Sequence, residues 1–312
     1  MSPMLMTTGE VLSHKKYGEH YHSLTIVVPD IGEAVKPGQF VNIKCGEDRS
    51  HILRRPFSVY RVHKRGGWAS TVEIVFDIRG PGTYHLSRLR THSIVDVIGP
   101  GGRGFTMPKR RAHCLLVGGG IGAAPLFFLA DELRNEGHRV DVILGARNQG
   151  LLLNAIEARR VASICRLTTD DGSMGDQGIV TDVLEEMFEK CKTETVFACG
   201  PHPMLSAVTR MSIERGISVQ VAVEELMACG YGVCMTCVMP LRREPEKDET
   251  PEEAITYARS CIEGPVFNGA KVVWNGAQDP VALDQSELSP LGSPTRLGPL
   301  FEPEDEFAPP GN

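Results

Sequence analysis

Val117-Gly-Gly-Gly-Ile-Gly-Ala-Ala-Pro125 follows the short apolar run His113–Val117 and opens a helical stretch that continues to about Glu136. A strand, a glycine turn and a helix in that order let the backbone approach a pyrophosphate, which then meets the helix N-terminus and its partial positive charge. A bare tight turn would also explain the glycines; their place between strand and helix is what favours a dinucleotide. Gly118, Gly119, Gly120 and Gly122 are the residues expected at that ligand. Beyond the turn, strands are expected at Arg139–Leu144, Ala162–Leu167, Thr195–Cys199 and Ile217–Val223. They alternate with helices near Leu152–Arg159, Gly178–Lys190 and Pro203–Arg215, the pattern of a doubly wound parallel sheet. A second glycine turn, Ala198-Cys-Gly-Pro-His-Pro-Met204, places Gly200 and Pro201 at the C-terminal end of a strand, where ligands bind in open α/β sheets. Cys199 is a candidate to touch a nicotinamide there, with simple packing as the alternative.

Before Pro108 the chain reads differently. Ser23–Val28, Gln39–Lys44, Phe57–Val62, Thr71–Ile78 and Ile94–Ile98 are short β-branched or alternating runs separated by Gly, Pro and charged turns. No convincing helix interrupts them until Thr83–Arg90, so a small β-barrel is expected. Within it Leu53-Arg-Arg-Pro-Phe-Ser58 offers the fork of Arg55 for a phosphate, the hydroxyl of Ser58, and Phe57 as a flat face for an aromatic ring. Gly80-Pro-Gly-Thr83 precedes the expected helix, where Gly82 and Thr83 would add backbone and hydroxyl donors.

Met227-Ala-Cys-Gly-Tyr-Gly-Val-Cys-Met-Thr-Cys237 spaces three cysteines as C-x4-C-x2-C, and Cys261 follows after a gap. A [2Fe–2S] cluster needs four thiolates, and this spacing wraps three of them around one cluster from a tight loop; Cys229, Cys234, Cys237 and Cys261 are the candidate ligands. A structural zinc site is the alternative, because Cys234-x2-Cys237 alone suits a zinc knuckle. A zinc-stabilised regulatory module would require the barrel motifs to be accidental.

Composition narrows the classes. At 312 residues the chain has room for two domains and a small third unit, and 41% hydrophobic with 23% charged residues suits a globular protein. The net charge of −6 argues against a nucleic-acid surface. No run of 18 apolar residues predicts a membrane span, and no secretory signal is visible. Nine cysteines, four of them clustered, fit a reducing compartment, and a cytoplasmic protein is expected. Leu241–Ser260 reads as a charged, solvated excursion with a short helix at Pro251–Arg259. From Asn275 to Asn312 the composition is acidic and Pro-rich, as in a disordered or loosely docked tail.

RxFS at Arg55–Ser58, GxGT at Gly80–Thr83, GGGIGxAPL from Gly118 and ACGPxPM from Ala198, in this order, resemble the ferredoxin–NAD(P) reductase superfamily. Glu225-Leu-Met-Ala-Cys229 and the rest of the cysteine block, with Cys261-Ile-Glu-Gly-Pro-Val-Phe267, more specifically resemble the electron-transfer subunits of two-subunit, NAD-linked dihydroorotate dehydrogenases. The resemblance covers roughly residues 7–274. It implies a flavin-binding β-barrel over residues 1–107, an NAD-binding α/β domain over 108–223 and a [2Fe–2S] module over 224–274; the acidic, Pro-rich tail over 275–312 has no counterpart in it. It further implies FAD at Arg55, Pro56, Phe57, Ser58, Val75, Phe76, Asp77, Gly82 and Thr83. The implied partner is an FMN-containing catalytic subunit that oxidises dihydroorotate, within a hetero-oligomer that also meets NAD(H). Electrons would pass from FMN through the cluster and FAD to NAD⁺. A flavin and iron–sulfur reductase serving a ferredoxin is the alternative. Glu225 is the acid expected near the flavin, and Asp170-Asp-Gly172 favours NAD over NADP, although Arg147 stands where it could meet a 2′-phosphate. The chain departs from the family in Glu263, where aspartate is usual, and in the widened gap at 241–260.

Overall fold

The structure is a computed structural model that describes residues 4–46, 52–66, 68–245, 250 and 254–274. The expected tail at 275–312 lies outside the described residues. Six strands close a barrel: β1 (Leu5–Tyr17), β2 (Tyr21–Val27), β3 (Phe40–Ile43), β4 (Arg55–Arg65), β5 (Trp68–Asp77) and β6 (Ile94–Gly101). Their order around the barrel is β1-β2-β5-β4-β3-β6, and every pairing is antiparallel. Val11, Leu24, Ile26, Ile43, Val59 and Ile74 fill the interior and are essentially inaccessible to water.

Two barrel elements escaped the sequence reading. β1 carries Glu10, Lys15 and Lys16, all exposed to water, so its composition hides a strand whose partners on both sides complete the barrel. The helix α1 (Pro29–Ala34) is only six residues long, too short to show a 3.6-residue period. Pro29 starts it and fully buried Ile31 anchors it in the barrel core. The helix expected at Thr83–Arg90 is α2, Pro81–Ser87.

The second layer is a seven-stranded sheet. Its strands are β7 (His113–Gly119), β8 (Arg139–Ala146), β9 (Cys165–Thr169), β10 (Asp176–Gln177), β11 (Thr195–Cys199) and β12 (Ser218–Ala222), with β15 (Val266–Asn268) at one edge. The order is β10-β9-β8-β7-β11-β12-β15, parallel except for β15. Connecting helices are α3 (Ala124–Asn135), α4 (Ala155–Val161), α5 (Leu184–Cys191) and α6 (His202–Glu214). β7 is buried along nearly its whole length, which is why it reads as a continuous apolar run. Chain order reverses direction across the sheet at β7 and β11, so the crevice beyond their C-terminal ends is the expected ligand site.

The cysteine module was expected to begin where the sheet ends, near Glu224. The chain does leave the parallel strands after β12, makes the hairpin β13 (Val238–Arg242) and β14 (Ile255–Arg259), and then returns as β15 to pair antiparallel with β12. The helix expected at Pro251–Arg259 is therefore corrected. Residues 251–253 lie outside the described residues, and 255–259 form a strand because Ile255, Thr256 and Tyr257 suit a pleated partner and Ala258 is buried against the hairpin.

One carboxylate is buried in the barrel wall. Glu73 on β5 accepts hydrogen bonds from Tyr17 Oη at 3.0 Å, from Ser23 Oγ, and from His63 Nε2 at 2.8 Å. Burial alone would raise its pKa, but these three donors outweigh it and hold the carboxyl below its ordinary 4.5. A depressed folded-state pKa stabilises the fold above the unfolded value and ceases to do so as pH falls through the folded one. Glu73→Gln is expected to cost about 2 kcal/mol near neutrality, measured by urea unfolding. The gap from wild type should be full above about pH 5 and narrow below the ordinary carboxyl pKa of about 4.3.

Candidate functional site

Two cavities meet between barrel and sheet. The first, about 490 Å³, is lined by Arg55–Ser58, Val75–Asp77, Gly82 and Thr83. All nine residues expected around a flavin thus share one wall. Arg54 and Arg55 separate in role. Arg54 pairs with Asp96 at 2.8 Å and is committed to the barrel, whereas Arg55 faces the cavity. The Thr83 hydroxyl does not point a free donor at a ligand. It accepts from the N–H groups of Arg79 (2.9 Å) and Gly80 (3.3 Å) and donates to Gly80 O (3.2 Å), capping α2. The donors left for an anion there are the first-turn N–H groups of α2.

The second cavity, about 670 Å³, opens at the C-terminal ends of β7 and β11. Gly119, Gly120, Gly122, Gly200 and Pro201 line it, with Arg147 and Asp170. A Cβ on Gly122 would stand 2.7 Å from the Gly200 Cα, so the two glycine turns touch backbone to backbone. Gly118 is not on the wall. It faces inward, where a Cβ would lie 2.7 Å from that of Ala123. Cys199 is likewise corrected: it lines neither cavity, is 3% exposed in the core of the sheet, and burial pushes its thiol well above 9.0.

Asp77, Arg79, Ile121 and Glu224 belong to both cavities. Arg79 was not anticipated; its Nε donates to both Asp77 carboxylate oxygens, at 3.0 and 2.9 Å. Glu224 was also missed. Water reaches it through the cavity junction while protein crowds its other sides, and that desolvation raises its pKa against the pull of Arg79. Glu225, the acid singled out in the sequence, lies on the wall of the first cavity and meets His202 Nε2 at 3.2 Å. The hydrogen bond to Glu225 raises the His202 pKa, opposed by desolvation.

The four candidate cysteines are gathered by the hairpin. Pairing of Val238 with Arg259 and the 2.7 Å bond from Ser260 N to Cys237 O bring Cys237 beside Cys261 across the long sequence gap. Both are buried against Phe40, Met227 and Ile262, while Cys229 is half-buried and Cys234 exposed. Cys234 N–H points at Cys229 Sγ at 3.5 Å, and Thr236 Oγ1 lies 3.2 Å from Cys234 Sγ. Gly232 in this loop has φ +88°, and a Cβ there would lie 2.6 Å from the Ile262 side chain. Arg259 Nη1 holds the Gly232 carbonyl at 2.9 Å and is itself gripped by Glu263 at 2.6 Å. Glu263, the departure from the usual aspartate, therefore braces the cysteine loop. Among the described residues no three His, Cys, Asp or Glu side chains are gathered as a single ion requires. Four soft thiol donors, from one loop and one hairpin, are the donor set that a [2Fe–2S] cluster takes. Phe40 and Met227 line the first cavity and also pack on these cysteines, so a single apolar wall divides the two sites.

Residues 224–273 match the model of the iron-sulfur cluster binding domain of dihydroorotate dehydrogenase B. The chain is 36% identical over 246 residues to the dihydroorotate dehydrogenase B (NAD(+)) electron transfer subunit of Desulforamulus reducens, covering 79% of this chain and 90% of that protein. The corresponding subunit of Geobacillus thermodenitrificans is 36% identical over 266 residues, covering 84% and 96%. Among solved structures, an NADH-dependent reduced ferredoxin-NADP oxidoreductase superimposes with a TM-score of 0.71 at 28% identity, covering 85% of this chain and 90% of that one. The ferredoxin reductase of carbazole 1,9a-dioxygenase shares the fold, with a TM-score of 0.57 at 19% identity over 69% and 67% of the two chains.

The brace on the cysteine loop gives a test. Glu263→Ala frees Arg259 from its carboxylate partner and is expected to lower the iron content of purified protein at least twofold while leaving flavin content unchanged. Glu263→Asp should keep most of the iron, and iron and flavin analysis reads both.

Proposed function

This chain belongs to the family of dihydroorotate dehydrogenase B electron transfer subunits, and we propose how its own residues carry out that role. It relays electrons from a dihydroorotate-oxidising catalytic subunit to NAD⁺, in pyrimidine biosynthesis. When bound, a flavin supplies the necessary chemistry, because it exchanges single electrons with an iron–sulfur cluster and a hydride with a nicotinamide. The observation that carries the reading is the sharing of walls. Phe40 and Met227 separate the cysteine site from the barrel cavity, and Asp77, Arg79, Ile121 and Glu224 join that cavity to the nucleotide cavity.

In this reading Cys229, Cys234, Cys237 and Cys261 hold the cluster. Phe40 and Met227 exclude water between cluster and flavin. Phe57 packs on the aromatic part of the flavin, Arg55 binds its phosphates, and Arg55–Ser58 with Val75–Asp77 orient it. Gly119, Gly120, Gly122, Gly200 and Pro201 admit the nicotinamide dinucleotide to the crevice beyond β7 and β11. Glu225, held by His202, stands on the flavin wall as an acid beside the flavin. The functional units are taken as 1–107, 108–223 and 224–274, with Val266–Asn268 lent back to the sheet. No described helix is long and apolar enough to cross a membrane. On its nine cysteines, which suit a reducing compartment, we assign the protein to the cytoplasm.

Asp170 is placed to accept a hydrogen bond from the ribose 2′-hydroxyl of NAD and to repel the 2′-phosphate of NADP. Replacing it with asparagine removes that repulsion and leaves Arg147 on the same cavity wall. Asp170→Asn is expected to shift the ratio of kcat/KM for NADPH over NADH upward by about tenfold, roughly 1.4 kcal/mol, read by steady-state kinetics. The function itself is tested by anaerobic spectroscopy of the protein purified with its catalytic subunit. Flavin and cluster absorbance should bleach with NADH and with dihydroorotate. Bleaching by NADH alone would point to a ferredoxin or another acceptor as partner, and a colourless, zinc-containing protein would overturn the reading.

A further inference from the structure

The two cavities are built by different halves of the molecule. The barrel supplies Asp77 and Arg79 at their junction, and the glycine turn after β7 supplies Ile121. Groups held in the two cavities can react only if the halves keep a fixed relation. Most contacts between them are apolar or single hydrogen bonds. The Tyr60 ring packs tilted against Phe127, centroid to centroid 5.2 Å, Asn154 Nδ2 donates to Tyr60 Oη at 2.9 Å, and Tyr21 Oη donates to Leu151 O at 2.9 Å.

Arg61 differs from these. Extending from β4, its Nε donates to Asp131 Oδ2 on α3 at 2.8 Å and its Nη2 to Glu157 Oε1 on α4 at 2.8 Å. The guanidinium also lies 5.4 Å from the centre of the Tyr60 ring. The side chains of Arg61 and Glu157 are only 18% and 14% exposed, so the contact is shielded from the solvent that weakens surface ion pairs. A planar fork bound to two carboxylates is directional in a way that apolar packing is not. Its two partners are informative. α3 begins directly after the turn Gly120–Ala123, and α4 follows β8, whose C-terminal end carries Gly145, Ala146 and Arg147 into the nucleotide cavity. One barrel side chain therefore holds both elements that shape that cavity.

We propose that Arg61 is a positioning residue that fixes the nucleotide cavity over the flavin cavity and so sets the rate of hydride transfer. It leaves exchange between flavin and cluster untouched, because that exchange crosses the Phe40–Met227 wall, in which Arg61 has no part. The proposal rests on the assignment of the two cavities to flavin and nicotinamide. In the assay direction a hydride, two electrons with one proton, leaves NADH to give NAD⁺ and is accepted by the flavin. A misplacement of about 1 Å in such a step costs on the order of 100-fold.

The test uses the full-length protein purified with its catalytic subunit, as wild type, Arg61→Met and Glu157→Gln. Stopped-flow absorbance follows flavin bleaching at saturating NADH and the long-wavelength charge-transfer band of stacked nicotinamide and flavin. Photoreduction follows exchange between flavin and cluster. Arg61→Met should slow hydride transfer at least tenfold and weaken the charge-transfer band, with flavin–cluster exchange within twofold of wild type. Glu157→Gln keeps the Asp131 arm and should slow hydride transfer about threefold. Unchanged hydride transfer and charge-transfer absorbance in flavin-loaded Arg61→Met would overturn the proposal, as would equal slowing of both steps. If Arg61→Met loses its flavin, Glu157→Gln decides, and an unaltered band and rate there would overturn it. A wild type that NADH does not bleach would instead refute the cavity assignment.

Discussion

The return of Val266–Asn268 to the edge of the sheet is the constraint on which the arrangement of sites depends. Without that antiparallel pairing on β12, the cysteine loop would be attached to the nucleotide half by the chain at Val223–Glu224 and the contact of Glu225 with His202. Several short contacts reinforce it. Val223 N–H donates to Pro265 O at 3.0 Å, Arg103 N–H donates to Gly264 O, and Gln220 exchanges hydrogen bonds with both the N–H and C=O of Thr106 at 2.8 Å. The segment between Cys261 and β15 is thus pinned to the last turn of the barrel and to the sheet together. Cys261 is held against Phe40, a barrel residue, by the same stroke.

A relay protein needs its sites close and its intervening space dry, and here both follow from shared walls. No element is devoted to spacing alone. Phe40 pairs with Ser58 and Gly101 in the barrel, lines one cavity and packs on two cysteines. Ile121 lies in the turn that leads into α3 and lines both cavities. Because single residues serve two sites, the sites cannot drift apart without breaking core packing, which is close-packed and resists small displacements. The charged groups at the junction are arranged in the same economical way. Arg79 neutralises Asp77 while standing near Glu224, which offsets the negative charge that the carboxylates bring to the junction.

The cysteine loop shows how a local departure from a family pattern is absorbed. Glu263 is one methylene longer than aspartate, and it reaches Arg259 through two oxygens and a backbone N–H. Arg259 in turn fixes the Gly232 carbonyl in the loop that spaces Cys229 from Cys234. β13 and β14 pair from Val238–Arg259, next to Cys237, to Arg242–Ile255, and the brace sits at the Arg259 end of that pairing.

The sequence by itself determined the architecture and most of the residue sets. Periodicity over 113–223 identified the parallel sheet because its strands are buried runs and its helices are punctuated by Gly and Pro. Cysteine spacing named the four thiols, and Arg55–Ser58 and Gly82–Thr83 named a wall that the fold assembles into one cavity. What sequence could not determine came from long-range pairing. β1 is polar because half of it faces water, α1 is too short to show a period, and Ile255–Arg259 becomes a strand only because Val238–Arg242 lies beside it. Cys199 and Gly118 stand in motifs that face a ligand in chain order, yet their side-chain directions turn them into the core. Arg61, Arg79 and Glu224 carry no local signature at all. Their importance lies in bridging segments far apart in sequence, and that relation exists only once the barrel, the sheet and the returning strand are folded together.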